Sequence, residues 1–353
     1  MSLEDRVMEL AAEAPPPDEG AVAEAGRRHL ALAKPPDSLG RLEELGARLA
    51  GMAGEYPPPV PESPVVVVCA GDHGVLGRGV SPWPREVTAA MVRNFCAGGA
   101  AVNAIAETVG ARVSVLDVGV ATELERHPSL RGAKVRPGTN DLSRGAAMDR
   151  EEAARAVLAG AGVAEELVES GGVDLLVTGD MGIGNTTPAA ALVSAFTGRP
   201  PEETTGRGTG VDDETYELKL GVVREALERH APDPADPLGV LAAVGGLEHT
   251  AIVGLILMGA ACGVPVVLDG VVSNAAALAA RALAPDSVGY MVAGHLSAEP
   301  GARITLDSLG LQPLLDLDMR LGEGTGGLLA FPLVVAAARI LGGMATLEEL
   351  GFG

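Results

Sequence analysis

The residues with the clearest chemical potential lie in the glycine-rich stretch 178–187, Thr-Gly-Asp-Met-Gly-Ile-Gly-Asn-Thr-Thr. This stretch follows an apolar run typical of a buried strand and precedes an alanine-rich run typical of a helix. Such a loop presents backbone N–H groups and the positive end of a helix dipole to an anion. Gly182 and Gly184 leave room for a phosphate, and Asn185 and Thr186 add donors. The pattern predicts a site for a phosphorylated small molecule, with a structural tight turn as the alternative.

Two further glycine-rich loops carry a charged side chain. Glu323 lies within 321–327, where flanking glycines leave room for a ligand against the carboxylate. It is a candidate general base, and a helix N-terminal acid favoured by the dipole is the alternative. Lys219, one of only three lysines, follows the loop 207–213 by one to two helical turns. It is a candidate for contact with a phosphate or carboxylate, and an exposed helix lysine is the alternative.

Acidic and histidine side chains also follow several predicted strands, which raises the question of a metal ion. The candidates are Asp72, His73, Asp117, Asp180, Asp269 and His295. Their spacing matches no HExxH, HxH or DxDxD pattern, so we predict that the site holds no metal. His249, at a predicted helix start, has a capping or packing role as the alternative to a catalytic one. The three cysteines form no CxxC pair, which favours buried, reduced thiols.

The charge and hydropathy of the chain exclude several classes of protein. A net charge of −21 argues against binding to nucleic acid or to an anionic membrane surface. The charged N-terminal residues lack the apolar core of a signal peptide, so we expect a cytoplasmic protein. The most apolar stretch, 251–268, contains three glycines and a proline, and therefore predicts a buried helix followed by a buried strand rather than a membrane span.

Short, continuously apolar runs predict strands that are covered on both faces. They occupy 65–69, 112–117, 173–178, 240–244, 264–268 and 288–292. Helical patterns separate most of them, at 91–109, 151–169 and 247–262. This alternation predicts an α/β fold with a Rossmann-like open parallel sheet of about six strands and helices on both faces. Glycines and polar residues follow each run, so we expect one composite site at the carboxyl edge of the sheet.

The two ends of the chain predict a separate helical unit. Helical patterns cover 21–32, 38–52 and 326–342, with Asp37 or Ser38 as the N-cap of the second. We therefore predict a small helical domain from 1–60 and 326–353, and a large α/β domain from 61–325 that carries the active site. The polar, glycine-rich segment 131–148 predicts a long loop that covers the site.

Seven motifs in order resemble one family, the nicotinate-nucleotide–dimethylbenzimidazole phosphoribosyltransferases. They lie at 71–75, 178–187, 206–210, 246–250, 268–270, 295–300 and 320–326. Together they span roughly residues 20–345, and seven ordered motifs are specific where one would be weak. The resemblance implies a homodimer with a Rossmann-like large domain and a small helical domain, and a reaction that needs no metal and no cofactor.

The implied reaction transfers the phosphoribosyl group of nicotinate mononucleotide to 5,6-dimethylbenzimidazole. It gives α-ribazole 5′-phosphate and nicotinate, in the synthesis of the lower-ligand nucleotide of cobalamin. A ring nitrogen of the base attacks C1′ while neutral nicotinate leaves from the opposite face. By the resemblance, Glu323 takes the proton from the other ring nitrogen, and Asp180 is a second catalytic residue.

The resemblance also implies which residues contact the substrates. By the resemblance, the nucleotide phosphate and ribose are contacted by Gly182, Ile183, Gly184, Asn185, Thr186, Gly208, Lys219 and Ser297. The flat base is implied to bind in an apolar slot formed by Ser81, Trp83, Met91 and Leu321. The chain differs from many members at Asp180, where they have Glu, and at Ala90, where they have Gln, which bears on base selectivity.

Two other readings stay open at the level of sequence. A metal-dependent hydrolase would use the acidic strand-end residues and would be sensitive to EDTA. A non-catalytic module that binds a phosphorylated metabolite would keep the glycine loop but would not need Glu323.

Overall fold

A single parallel sheet organises the protein, whose computed structural model describes residues 1–170 and 172–352. Its strands are β1 (Pro64–Gly71), β2 (Arg112–Gly119), β3 (Leu130–Gly132), β4 (Leu175–Met181), β5 (Val266–Leu268) and β6 (Met291–Ala293). A separate parallel pair is formed by β7 (His295–Leu296) and β8 (Leu315–Asp316). The six-stranded sheet has the order β3-β2-β1-β4-β5-β6, and its neighbours all pair in parallel. The predicted α/β fold with six parallel strands is therefore confirmed.

Helices cover the sheet and form most of the rest of the chain. They are α1 (Leu3–Glu13), α2 (Glu19–Ala31), α3 (Arg41–Ala53), α4 (Glu86–Ala97), α5 (Ala101–Val109), α6 (Arg150–Glu169), α7 (Thr186–Thr197), α8 (Pro201–Thr204), α9 (Asp213–His230), α10 (Pro237–Val244), α11 (Leu247–Ala261), α12 (Val271–Leu283), α13 (Pro300–Leu309) and α14 (Thr325–Gly343). Two short 3₁₀ segments lie at Gly74–Arg78 and Pro285–Tyr290.

The point at which the strand order reverses lies between β1 and β4, the two central strands. Both are buried along almost their whole length, and Val66 pairs with Val177 in their ladder. In an open parallel sheet, the loops that leave such a pair diverge to opposite faces and open a crevice at the carboxyl edge. The loops after Gly71 and Met181 therefore border the natural ligand site.

The predicted strand at 240–244 is wrong, because this segment is the second half of α10. Asp236 caps that helix by accepting a hydrogen bond from the Gly239 N–H (3.1 Å), and Pro237 occupies the first helical position, where its fixed φ is favourable. A short apolar run has no periodicity that separates a strand from a buried helix, so the capping residues were the better signal.

The remaining strand of the sheet is β3, at the start of the segment predicted as a loop, 131–148. It has only three residues and lies at the sheet edge, half-exposed, so it lacks the apolar run of a central strand. From Ala133 onwards no helix or strand is assigned until α6 begins, which agrees with the predicted loop.

Two helix boundaries also differ from the prediction. The predicted helix 91–109 is two helices, because α4 ends at Gly98 with a positive φ of 81° and α5 starts afresh after Ala100. The N-cap of α3 is Gly40 rather than Asp37 or Ser38. The other predicted helices are confirmed in position.

The apolar stretch 251–268 is confirmed as the buried helix α11 followed by the buried strand β5. Among the described residues one helix, α14, is long and apolar enough to cross a membrane by length and composition. It packs against β4 and β5 on one side and α3 and α5 on the other, as the core helix of a folded protein does. Its far end meets α2 and α3 in a second small apolar cluster of Ala21, Ala25, Ala50 and Leu341.

That cluster agrees with a helical unit built from both ends of the chain. The first helix, α1, instead packs against α6 and α11 of the large unit. The division into a small helical domain (1–60 and 326–353) and a large α/β domain (61–325) stays a prediction. Within these ranges, Gly171 and Gly353 lie outside the described residues.

The tightest helix contact is between α6 and α11 and depends on two glycines. A Cβ atom at Gly254 would lie 1.8 Å from the Val157 carbonyl oxygen, and one at Gly160 would lie 1.9 Å from that of Ala251. The backbones therefore touch directly, and this fixes the height of α11 above the sheet.

We predict that Gly254→Ala lowers the free energy of unfolding by about 1–3 kcal/mol, because the added methyl must push the two backbones apart. Gly162→Ala is the matched control: it lies on the partner helix α6 and is exposed, with no atom within 4 Å of the new Cβ. It should raise stability by about 0.5–1 kcal/mol through helix propensity. Urea unfolding measures both changes, and equal effects would contradict the close contact.

Candidate active site

The loop after β4 lies directly against the end of β1. A Cβ at Gly182 would lie 2.3 Å from the Gly71 carbonyl oxygen and 2.9 Å from His73 Nε2. Glycine is therefore required at 182 for packing between the central strands, a reason that the sequence did not reveal. Gly184 differs: its φ is +92°, and the nearest side-chain atom to a Cβ there is 3.8 Å away. It provides the open, left-handed turn predicted for an anion loop.

The helix that follows this loop begins two residues earlier than predicted, inside the stretch 178–187. Asn185 is the N-cap of α7, and Thr186 is its first residue. The N–H groups of Asn185 and Thr187 donate to the carbonyls of Gly182 (3.1 Å) and Gly184 (3.0 Å), so an anion here would be attracted mainly by the positive end of the α7 dipole. The Ile183 N–H donates to Thr88 Oγ1 of α4 (3.2 Å), which fixes the loop to the neighbouring helix.

Lys219 reaches this helix start from α9. Its Nζ donates to Thr186 Oγ1 (2.7 Å) and to the Gly206 carbonyl (2.9 Å), and the side chain is only 2% exposed. Burial lowers the pKa of Lys219 to about 8, against the opposing effect of Glu299. The lysine is therefore not an exposed helix residue, and the alternative reading of it is wrong.

The glycine-rich loop 207–213 packs against the start of α7. Gly208 lies so near that a Cβ there would be 2.8 Å from Thr186 Oγ1. Its N–H donates to Glu299 Oε1 (2.8 Å), and its carbonyl accepts from Arg320 Nη1 (2.8 Å). The structure thus brings Thr186, Gly208 and Lys219 together.

A small cleft, with a cavity volume of about 70 Å³, opens beside this cluster. Its walls come from five separate loops at the carboxyl edge of the sheet. They include Asp180, Asn185, Thr186, Gly208, Gly270, His295, Ser297, Glu299, Arg320, Leu321 and Gly322. Six of the predicted site residues are in this set, although the first and the last of them, Asp180 and Leu321, are more than 100 positions apart in the sequence.

Asp180 is buried in the wall of the cleft. Its Oδ2 accepts from Asn185 Nδ2 (2.8 Å). Burial raises its pKa well above the ordinary value, and the negative charges of Asp269 and Glu248 add to this effect. The carboxyl group is therefore held in a site that favours its neutral form unless a positive charge is nearby.

Glu323 lies on the short segment between Leu321 and α14, with an unusual positive φ of 64°. The side chain is buried, and its Oε2 accepts from the Val102 N–H at the start of α5 (3.4 Å). Burial raises its pKa; the Val102 N–H opposes this and the charge of Asp269 adds to it. A buried carboxylate with a raised pKa accepts a proton more readily than an exposed glutamate, which suits a general base.

Asp269 is the residue whose role sequence reasoning missed. Its Oδ1 accepts from the N–H groups of Gly326 (2.7 Å) and Gly327 (3.0 Å), and its Oδ2 from that of Gly324 (3.1 Å). The carboxylate therefore holds the start of α14 and the backbone next to Glu323. The sequence carried one signal for this role. Asp269 follows an apolar strand and precedes a glycine, and the distant loop contains glycines at 324, 326 and 327 that allow close approach.

The other strand-end candidates for metal binding serve the fold. Asp72 and Asp117 accept hydrogen bonds from the N–H groups of Ala121 (2.7 Å) and Val120 (2.9 Å). Across residues 1–170 and 172–352, no group of three or more His, Cys, Asp or Glu is arranged to hold a metal ion.

His249 does not cap its helix but joins a fully buried cluster. Glu248 Oε1 lies 2.7 Å from His73 Nε2 and 2.8 Å from His249 Nδ1. Burial alone would raise the pKa of Glu248, but the two imidazoles outweigh it and lower the value to about 2. The Glu248 carboxylate is therefore kept ionised by the two imidazoles beside it.

The predicted base slot is only partly formed around the cleft. Leu321 lines the cleft and is 57% exposed, whereas Trp83 is 52% exposed and its N–H donates to Ser81 Oγ (3.3 Å). Ser81, Trp83 and Met91 are outside the set of residues that line the cleft. They belong to the segment that Thr88 joins to the loop at Ile183.

Comparison with known proteins assigns a class to this fold and cleft. A family described as phosphoribosyltransferase matches residues 14–351. The nicotinate-nucleotide–dimethylbenzimidazole phosphoribosyltransferase of Salinispora tropica is 57% identical over 350 residues, covering 95% of this chain and 96% of the relative. The enzyme of the same name from Thermus thermophilus is 53% identical, with 93% and 97% covered.

A crystal structure from Thermus thermophilus, also titled as this phosphoribosyltransferase, superposes with a TM-score of 0.90 at 50% identity. It covers 95% of this chain and 99% of the other. This chain therefore belongs to the nicotinate-nucleotide–dimethylbenzimidazole phosphoribosyltransferase family. The family predicted from seven motifs is confirmed, and with it the phosphoribosyltransferase class.

We predict that Asp269→Asn lowers the free energy of unfolding by about 1–3 kcal/mol and reduces turnover. An amide can accept through one oxygen only, so at least one buried N–H among residues 324–327 would face an NH₂ group. Asp316→Asn, on the exposed strand β8, is the control and should change neither quantity. Urea unfolding with a turnover assay tests this, and a fully stable, fully active Asp269→Asn variant would contradict it.

Proposed function

We propose that this chain transfers the phosphoribosyl group of nicotinate mononucleotide to 5,6-dimethylbenzimidazole, giving α-ribazole 5′-phosphate and nicotinate. One observation carries the proposal: a buried lysine at a helix start and a buried glutamate with a raised pKa lie at the same edge of the sheet. The first suits a phosphate and the second suits proton removal. The names of the relatives supply the substrates.

We assign the nucleotide phosphate to the start of α7. Lys219 and the positive end of the α7 dipole supply the positive potential, and Gly208 packs against Thr186 beside them. Lys219 now donates to Thr186 and Gly206, so it is already oriented and loses little side-chain entropy on binding.

We assign the ribose and the pyridinium to the acidic side of the cleft, near Asp180 and Ser297. The substrate ring is cationic and becomes neutral when the bond to C1′ breaks. Carboxylates around a buried cation stabilise it, and burial strengthens that interaction. Asp180, whose pKa burial raises, is therefore ionised most easily when the cationic substrate is bound.

Glu323 is the general base of the proposed reaction. The attacking nitrogen of the base gains a positive charge as its bond to C1′ forms, and the proton on the other ring nitrogen passes to the Glu323 carboxylate. The raised pKa of this carboxyl makes it a better proton acceptor than an exposed glutamate. No step requires a metal ion or an organic cofactor.

The flat base fits the apolar side of the cleft mouth. Leu321 borders the cleft, and Ser81, Trp83 and Met91 come from the neighbouring segment. Trp83 is half exposed, and an aromatic ring in that position gains buried area when a flat aromatic ligand covers it.

The proposal is tested by mixing the protein with nicotinate mononucleotide and 5,6-dimethylbenzimidazole, with and without EDTA, and separating the products by chromatography. Equal amounts of nicotinate and riboside phosphate, unaffected by EDTA, are expected. Activity lost with EDTA and restored by a divalent metal would favour the metal-dependent hydrolase reading. Nucleotide binding without turnover, across a panel of bases, would favour a binding module.

We predict that Glu323→Gln reduces kcat by about 10²–10⁴-fold, because an amide cannot accept the proton. The amide oxygen can still accept from Val102, so calorimetry should show unchanged affinity for nicotinate mononucleotide. Glu165→Gln, an exposed change of the same type on α6, is the control. Near-normal turnover of Glu323→Gln would remove this residue from the role.

We predict that kcat/KM for the nucleotide falls as pH rises through about 8. The pKa of Lys219 in the free protein is about 8, so the ammonium that attracts the phosphate is present below this pH and lost above it. In Lys219→Arg the cation persists to higher pH, so the decline should disappear even if the overall rate is lower. A flat wild-type profile from about pH 7 to 9.5 would contradict the assignment.

The predicted homodimer, the cytoplasmic location and the lack of nucleic-acid and membrane partners stay predictions. Sedimentation analysis of the purified chain tests the first of these.

A further inference from the structure

His295 is a buried histidine in the wall of the cleft to which none of the steps above gives a role. It starts β7, immediately beyond the end of β6, and its side chain is 2% exposed. Gly326 is packed against one face of its ring, since a Cβ there would lie 2.0 Å from His295 Cδ2. The ring therefore has a fixed position between the start of α14 and the cleft.

The two ring nitrogens of His295 differ in their surroundings. Nε2 lies 3.5 Å from Asp269 Oδ1. Neither nitrogen has a hydrogen-bonding partner at standard distance within the described chain. A buried polar atom without a partner is costly, so such an atom in the wall of a cleft points to a group on the ligand.

Asp269 decides which nitrogen carries the proton. Its carboxylate only accepts hydrogen bonds, so the adjacent Nε2 is the protonated nitrogen and Nδ1 is the acceptor. An acceptor repels a phosphate or a carboxylate and pairs with a hydroxyl. In a pyridine nucleotide with an acidic ring substituent, the hydroxyl donors are the 2′-OH and 3′-OH of the ribose.

We propose that His295 is a substrate-contacting residue whose Nδ1 accepts a hydrogen bond from a ribose hydroxyl of the nucleotide, while Nε2 faces the Asp269 carboxylate at 3.5 Å. The proposal rests on the proposed function, because it assumes a ribosyl substrate. It links substrate binding to the Glu323 loop, since Asp269 also holds the backbone at Gly324. Through Asp269, the contact between His295 and the ribose is linked to the segment that carries the general base, Glu323.

The test compares nicotinate mononucleotide with its 2′-deoxy and 3′-deoxy analogues in the wild type and in two variants. In His295→Gln the amide lies near the position of Nε2 and the Nδ1 acceptor is lost. In His295→Asn the amide lies near the position of Nδ1 and can still accept. The readouts are nucleotide affinity by calorimetry and kcat/KM by nicotinate release.

We expect the wild type to lose on the order of tenfold in affinity with one of the two deoxy analogues. His295→Gln should show that loss already with the parent nucleotide and no further loss with the same analogue. His295→Asn should keep the discrimination. His29→Gln is the matched control, because His29 is also buried with both nitrogens unpartnered but lies on α2 in the helical cluster; its profile should equal that of the wild type.

Three results would overturn the proposal. The first is a wild type that binds both deoxy analogues as well as the parent. The second is a His295→Gln variant that discriminates as the wild type does. The third is a deficit in His295→Gln that disappears with nicotinamide mononucleotide, which would assign the histidine to the ring carboxylate. A wild type that binds nicotinate mononucleotide but releases no nicotinate would instead contradict the proposed function and leave the binding comparison intact.

Discussion

The interaction on which the active-site edge depends is the carboxylate of Asp269 with three backbone N–H groups of residues 324–327. Asp269 directly follows β5, so its position is set by the sheet, and its own N–H donates to Thr178 Oγ1 on β4 (3.2 Å). The three bonds bring the C-terminal helix α14 down onto the central strands. They leave Glu323 in a left-handed conformation, which a non-glycine residue adopts only when its surroundings enforce it. The general base of the proposed reaction is therefore placed by a residue more than 50 positions earlier in the chain.

A chain with a net charge of −21 can bind a phosphate only if positive potential is concentrated locally. Here one buried ammonium, Lys219, acts with the start of α7 on one side of the cleft. In the proposed reaction, the cationic ring of the nucleotide lies near the carboxyl group of Asp180 in the cleft wall. The cleft region therefore offers an ammonium group for the anionic end of the proposed nucleotide and a carboxyl group for its cationic end, so the overall acidity of the protein is compatible with that substrate.

The sequence predicted those features that depend on local pattern. The central strands were found because burial on both faces makes them continuously apolar, and the loop at Gly184 because it joins a strand to a helix. The errors arose where the pattern is ambiguous or absent: 240–244 is too short to show a period, and β3 has three half-exposed residues. Contacts between distant segments were beyond reach. That Gly182 packs on Gly71, and that Asp269 holds Gly326, depends on how the strands are ordered in the sheet.

Three buried acidic groups at this sheet edge show how burial and partners divide their roles. Glu248 lies between His73 and His249, and its pKa is far below the ordinary value, so it stays ionised and structural. Asp180 and Glu323 have no cation beside them in the described chain, and burial raises the pKa of each. A carboxyl whose environment favours the neutral form can gain a proton, or gain a cationic partner, as a reaction proceeds. Asp180 and Glu323, with their raised pKa values, are therefore suited to the proposed reaction. Glu248, between two imidazoles, is suited to supporting the loop at Gly182.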